Sequence, residues 1–152
     1  MATRVLFVCL GNICRSPMAE GIFAKLTQNE AYLIESAGTG SWHIGEPPDR
    51  RAQAVALDQG VDISGQRARK VTPADFDRFD HIVAMDNANL TALRKMQMPG
   101  SHAHLSRLLD YQSKPGPRDV PDPYYEDGFD HVFALIERAC RGLRLQLNAQ
   151  EQ

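Results

Sequence analysis

Val5-Leu6-Phe7-Val8-Cys9-Leu10-Gly11-Asn12-Ile13-Cys14-Arg15-Ser16-Pro17 is the stretch that decides the fold. Its first four residues form an unbroken apolar, β-rich run. The lack of alternation predicts a strand buried on both faces, as in a parallel sheet. Ser16 then reads as a helix N-cap and Pro17 as a first helical residue. Met18, Ala19, Ile22, Phe23 and Leu26 continue with helical spacing. Between strand and helix, Cys9 and Arg15 stand at the two ends of a five-residue spacer. A thiol, a guanidinium and a ring of backbone N–H groups converge at such a turn. That combination suits a tetrahedral dianion held above a nucleophile.

Outward from this stretch the chain alternates strand and helix patterns. Tyr32–Ser36 predicts a second strand, followed by a glycine- and proline-bearing loop over Ala37–Pro48. Arg50–Gln59 predicts a helix stopped by Gly60, and Thr72-Pro73 the opening of a short helical turn. His81–Met85 predicts a third strand and Asn87–Met98 a helix ended by Pro99-Gly100. Ala103–Leu105 is a weak fourth strand. Lys114–Asp127 is a proline-rich loop of a length that points to function. Val132, Phe133, Ile136, Ala139, Cys140, Leu143 and Leu147 stripe a final helix. The expected fold is α/β, a three-layer α/β/α arrangement around a four-stranded parallel sheet, with the phosphate-binding loop between strand 1 and helix 1. Residues 1–152 are expected to form a single domain. In such sheets ligands bind beyond the carboxyl ends of the strands, where Cys9 falls.

Composition narrows the function classes. With 17 Lys+Arg against 19 Asp+Glu, the net charge of −2 gives no reason to expect nucleic acid or an anionic membrane as partner. Affinity for an anion must therefore come from a local site. No apolar run approaches the ~18 to 20 residues of a membrane span, and no export leader is legible. Three cysteines in such a chain point to reduced thiols and a cytoplasmic location. Cys140 lies on the apolar helix stripe and reads as a small core residue.

The thiolate, not the thiol, is the nucleophile. Three features favour it at Cys9. The positive end of the following helix faces the loop, Arg15 is a permanent cation, and loop N–H groups with the Ser16 hydroxyl can donate to sulfur. Arg15 can also grip two phosphate oxygens as a fork, which lysine cannot do. Fixed donors of this kind suit phosphoryl transfer. Neither a metal nor another cofactor is required. A nucleotide-binding P-loop is excluded, because that motif needs a lysine and Leu10–Ser16 has none.

Val8–Pro17 resembles the phosphate loop of the low-molecular-weight protein tyrosine phosphatases, position by position. Ser36-Ala37-Gly38-Thr39, Gly45–Asp49, Thr72–Phe76, Met85-Asp86 and Asp122-Pro123-Tyr124-Tyr125 follow in the family's order. The resemblance implies an enzyme that hydrolyses phosphotyrosine esters through a cysteinyl-phosphate intermediate. Cys9 would be the nucleophile and Arg15 the phosphate clamp. Leu10, Gly11, Asn12, Ile13, Cys14, Arg15 and Ser16 would surround the phosphate. Ser16 would activate Cys9 as a leaving group, and Asn12, Ser16 and Ser36 would hold the loop in shape, with Asn12 in a left-handed backbone state. Partners would be phosphotyrosine proteins, a tyrosine kinase among them, met by a monomer.

Ester cleavage also needs a proton for the leaving oxygen. From the residues alone the histidines and the loop carboxylates all qualify. Asp122 stands out because Pro121 and Pro123 restrict its backbone. The resemblance assigns the general acid/base role to Asp122, sets Asp119 and Asp127 aside, and makes Asp86 an anchor or helix cap. A flat phosphotyrosine ring needs apolar walls, for which Ile13, Trp42, Tyr124 and Tyr125 are the candidates. Relatives resembling phosphoarginine phosphatases carry Thr where Ile13 stands, so Ile13 favours phosphotyrosine. The resemblance also makes Cys14 a redox partner that traps oxidised Cys9 as a disulfide.

His102 and His104 alternate, but two ligands are too few for a metal site, and they read as flanking a strand. His43, His81 and His131 show no pairing. Arg67, Arg69 and Lys70 read as a solvated basic face. Two other classes compete: a thioredoxin-coupled arsenate reductase of the same fold, and a non-catalytic phosphopeptide-binding module. The first needs relay cysteines, and none lies between Cys14 and Cys140. The second is disfavoured because nucleophile and acid are both present.

Overall fold

The computed structural model describes residues 2–114, 116–124 and 128–150. Four parallel strands, β1 (Thr3–Cys9), β2 (Tyr32–Gly38), β3 (His81–Ala84) and β4 (His104–Arg107), lie in the order β2-β1-β3-β4. The register is set by Cys9 opposite Gly38 and Val8 opposite Ala84. From β1 the chain first moves to one side, to β2, and then crosses to the other side for β3 and β4. The carboxyl end of β1 is therefore the point where strand order reverses, the place where open α/β sheets form their binding crevice.

Val5, Leu6, Phe7 and Val8 are wholly buried, as an unalternated apolar strand between two helical layers should be. Side chains point to opposite faces in turn. Val5, Phe7 and Cys9 join one core with α1 (Arg15–Leu26), α2 (Arg50–Asp58) and α5 (Phe129–Gln150). Leu6 and Val8 join the other with Phe76 of α3 (Asp75–Arg78) and Leu90 and Leu93 of α4 (Asn87–Met96). Cys140 is fully buried on α5, and burial pushes its thiol far above the ordinary cysteine range. No helix among the described residues is long and apolar enough to cross a membrane.

Several boundaries differ from the sequence reading. Ser16 is not an N-cap: α1 begins at Arg15, Cys14 occupies the cap position, and no side chain caps it. The Ser16 hydroxyl is drawn instead to Cys9, and a helix start left uncapped keeps its N–H groups for an anion. β2 runs on to Gly38, because it pairs with β1 as far as Cys9. The turn expected at Thr72-Pro73 becomes helical only at Asp75, whose carboxylate accepts the Thr72 N–H at 2.8 Å. β3 stops at Ala84, and α2 and α4 end at Asp58 and Met96. The weak fourth strand is real but displaced to His104–Arg107, and a 3-10 turn over Leu108–Tyr111 follows it. That turn packs so closely on α5 that a Cβ at Gly142 would stand 1.9 Å from the Tyr111 carbonyl oxygen, so no larger residue fits without moving backbone.

Candidate active site

Cys9 closes β1 and is 3% exposed. Its Sγ lies 3.0 Å from Ser16 Oγ and accepts the Asn12 N–H at 3.3 Å. Asn12 has φ of 58°, the left-handed state that asparagine tolerates. Its amide spends every polar atom on the loop. Nδ2 donates to Ser16 Oγ at 2.8 Å and Ser36 Oγ at 2.9 Å, and Oδ1 accepts the Arg69 N–H at 3.0 Å. With Asn12 donating to it, Ser16 Oγ directs its own hydrogen at either Cys9 Sγ or, at 3.5 Å, the Ala37 carbonyl; the sulfur is nearer. Ser36 passes its hydrogen on to Glu20 at 2.6 Å. Burial pushes the Glu20 carboxyl up, with the Ser36 hydrogen bond opposing.

Three of the loop's carbonyls are tied outward. Those of Cys9, Leu10 and Ile13 accept the N–H groups of Thr39, Gly40 and Asp49 at 3.0, 2.9 and 2.8 Å. The N–H groups of Gly11, Ile13 and Cys14 make no hydrogen bond to another described residue. Carbonyls out and N–H groups unspent is the form of an anion nest. Gly38 makes the packing possible, because a Cβ there would come within 2.8 Å of the Leu10 carbonyl oxygen and 3.2 Å of the Asn12 nitrogen.

The Arg15 side chain is almost wholly buried. Nη1 donates to Asp86 at 2.6 Å and to the Val120 carbonyl at 3.0 Å, and Nη2 lies 3.5 Å from Asp122 Oδ2. Burial opposes its charge, but Cys9, Asp86 and Asp122 prevail and raise it above the ordinary arginine value. Asp86 is both anchor and cap, as expected, since its other oxygen accepts the Asn89 N–H at the start of α4. Asp122 is held by its own loop, where Oδ1 accepts the Tyr124 N–H at 3.0 Å. Asp119 instead accepts the Asn87 N–H at 2.9 Å. Asp127 lies outside the described residues.

These groups enclose a cavity of about 310 Å³. Cys9, Leu10, Gly11, Ile13, Cys14 and Arg15 line it, together with Asp122, and Trp42, His43 and Tyr124 complete its wall. Trp42 is 69% exposed, and its ring lies over Gly40 so closely that a Cβ at position 40 would sit 1.8 Å from it. Asn12, Ser16 and Ser36 stand outside the lining and support the loop from behind. Tyr125 lies outside the described residues. Cys14 is buried in the loop, and burial first, then the charges of Asp49 and Cys9, keep its thiol far above the ordinary range.

Two predicted bystanders, His43 and Arg69, are participants, and so is Glu20, for which the sequence offered no reading. His43 is paired after all, with Nδ1 2.8 Å from Glu46 Oε2, and its ring stands 5.9 Å from that of Tyr124 at the cavity wall. Arg69 is not a solvated cation. It grips both Asp75 oxygens at 3.0 and 3.1 Å while its N–H holds Asn12. Glu20 anchors Ser36. The i, i+3 spacing of His43 and Glu46 was a sequence hint; the Arg69 N–H to Asn12 and the Ser36–Glu20 contact join residues 57 and 16 positions apart. His81, also expected to be unpaired, packs edge-on against His104 with ring centroids 5.8 Å apart. His102 meets Asp80 at 2.7 Å beside β4.

The family model described as "Low molecular weight phosphotyrosine protein phosphatase" matches residues 4–152. The low molecular weight protein-tyrosine-phosphatase YfkJ of Bacillus subtilis is 44% identical, covering 97% of both chains. Its crystal structure superposes with a TM-score of 0.95 at 43% identity, covering 100% of this chain and 98% of that one. A protein tyrosine phosphatase from Entamoeba histolytica superposes with a TM-score of 0.92 at 38% identity, covering 99% and 100%.

Proposed function

Because the chain belongs to the low molecular weight phosphotyrosine protein phosphatase family, we propose that it hydrolyses phosphotyrosine esters of proteins in two steps through a cysteinyl-phosphate. In the first, the Cys9 thiolate attacks phosphorus in line while the tyrosyl oxygen leaves and takes a proton from Asp122. In the second, water attacks the phosphocysteine, Asp122 takes up its proton, and Cys9 departs as thiolate with Ser16 donating to the sulfur. Arg15 and the loop N–H groups hold the three equatorial oxygens throughout. The observation that carries this reading is the joint placement of Cys9, Arg15 and Asp122 around one cavity.

Ile13 and the exposed ring of Trp42 give that cavity apolar walls for an aromatic ester. Substrates are then phosphotyrosine proteins, a tyrosine kinase among them, met by a cytoplasmic monomer in which residues 1–152 form one domain. The arsenate reductase alternative has no support, since the relatives are phosphatases by name and the relay cysteines are missing. A panel of phosphopeptides tests the reading. Phosphotyrosine is expected to turn over, with phosphoserine and phosphoarginine at least about tenfold slower in kcat/KM, the discrimination worth ~1.4 kcal/mol. Equal rates on all three would end the assignment of substrate class.

Cys14 completes the proposal as a redox guard. A peroxide oxidises the Cys9 thiolate to sulfenic acid, and the Cys14 sulfur then displaces water from it to form a disulfide. Burial holds the Cys14 thiol far above the ordinary cysteine range. Mild peroxide treatment should give a reducible Cys9–Cys14 link by peptide mass spectrometry. Finding Cys9 only as sulfinic or sulfonic acid would remove the guard role.

A further inference from the structure

Arg51 lies at the start of α2, outside the phosphate loop and outside the cavity lining. Its side chain is about half exposed and would pass for a solvated cation. Yet each of its ends is spoken for. Nε and Nη2 fork onto the two Asp49 oxygens, each at 3.1 Å, and its own N–H donates to Asp49 at 2.8 Å. Nη2 also donates to the Tyr124 carbonyl at 3.3 Å. The guanidinium stands 4.7 Å from the Phe129 ring centroid and 5.9 Å from that of Tyr124.

Asp49 and Tyr124 are tied in turn to the two halves of the reaction site. The Asp49 N–H holds the Ile13 carbonyl of the phosphate loop at 2.8 Å. The Tyr124 N–H holds the Asp122 carboxylate at 3.0 Å. A continuous path of hydrogen bonds therefore runs from Ile13 through Asp49, Arg51 and Tyr124 to Asp122. It spans 73 positions of sequence at the Arg51–Tyr124 step. Arg51 also holds the Asp49 carboxyl below its ordinary range against the opposing effect of burial, so both charges of the strut persist at neutral pH.

We propose that Arg51 is a positioning residue that sets the distance between the phosphate loop and the Asp122 carboxylate, acting on catalysis only through Asp122. The inference rests on the reading of Asp122 as general acid. A flexible loop carrying an acid loses proton transfer when its aim drifts by an ångström, while phosphate binding by the loop N–H groups and Arg15 is untouched. Lysine cannot replace arginine here, because the site needs a planar fork on a carboxylate together with a further hydrogen on a carbonyl.

The test measures kcat/KM for aryl phosphates from p-nitrophenyl to phenyl phosphate, in Arg51→Met and Arg51→Lys, each also combined with Asp122→Ala. Arg51→Met is expected to lose between about tenfold and a hundredfold on phenyl phosphate and about twofold or less on p-nitrophenyl phosphate. Arg51→Lys is expected to fall between, and it serves if the methionine variant fails to fold. Inhibition by inorganic phosphate is expected to stay within about twofold of wild type, and adding Arg51→Met to Asp122→Ala should cost no more than about twofold. A loss equal for all leaving groups, a loss that persists undiminished without Asp122, or no loss at all overturns the inference. If Asp122→Ala itself shows no dependence on the leaving group, the acid assignment has failed instead, and the two failures are read from different variants.

Discussion

Cys9→Ser is expected to lose turnover by on the order of 10⁴ to 10⁶, the scale seen when a covalent nucleophile is removed, and to keep its affinity for inorganic phosphate. The two outcomes separate because the sulfur and the phosphate cradle are different parts. A serine hydroxyl at position 9 is held by Ser16 and by the Asn12 N–H, as the sulfur is. It stays protonated near neutral pH, where a thiol can ionise, and so it offers no nucleophile. The carbonyls of Cys9, Leu10 and Ile13 remain tied outward and Arg15 remains braced by Asp86, so the anion site persists. Steady-state turnover of p-nitrophenyl phosphate beside phosphate binding by calorimetry checks both halves. Substantial residual turnover would end the covalent mechanism, and loss of phosphate affinity would end the reading of the loop as a cradle.

Asp122→Ala is expected to lower kcat/KM by roughly 10² to 10⁴ for phenyl phosphate and far less for p-nitrophenyl phosphate, whose leaving oxygen departs without a proton. The physical reason is local. Without the Asp122 carboxyl, a poor leaving group must depart as an anion, with Arg15 already committed to phosphate. The plot of log kcat/KM against leaving-group pKa should steepen in this variant. An unchanged slope would move the acid role elsewhere in the cavity, where His43 and Tyr124 are the remaining titratable side chains of the wall. The same variant should also slow hydrolysis of the phosphocysteine, seen with p-nitrophenyl phosphate as a larger burst of p-nitrophenol relative to steady-state turnover.

How much of this was legible in the chain depends on range. The strand at Val5–Val8, the helix pattern from Met18 and the stripe of α5 were readable, because an unbroken apolar run and a helical spacing of apolar residues are both properties of near neighbours in the chain. Cys9 and Arg15 were readable for the same reason, both belonging to one loop. The left-handed Asn12 was expected and found, although from the resemblance and not from any local pattern. Ser16 shows the limit. Its position suited a cap, but a cap satisfies one N–H, whereas here the hydroxyl meets Cys9 and Asn12 together. Arg69 shows it more strongly. Flanked by Arg67 and Lys70 it looks like surface, yet its N–H is fixed to Asn12, 57 positions away, and its guanidinium to a buried Asp75.

By itself the sequence determined the parallel sheet, the loop at the carboxyl end of its first strand, and the pairing of a thiol with a guanidinium there. Each of these follows from short-range order in residue type. Only the tertiary structure decided what holds that loop and what faces it: Asp86 beneath Arg15, Glu20 behind Ser36, His43 beside Tyr124, and Arg51 between Asp49 and the loop of Asp122. Such contacts form wherever folding brings distant charges and dipoles out of water together. Most of them leave no periodicity along the chain from which they could be read.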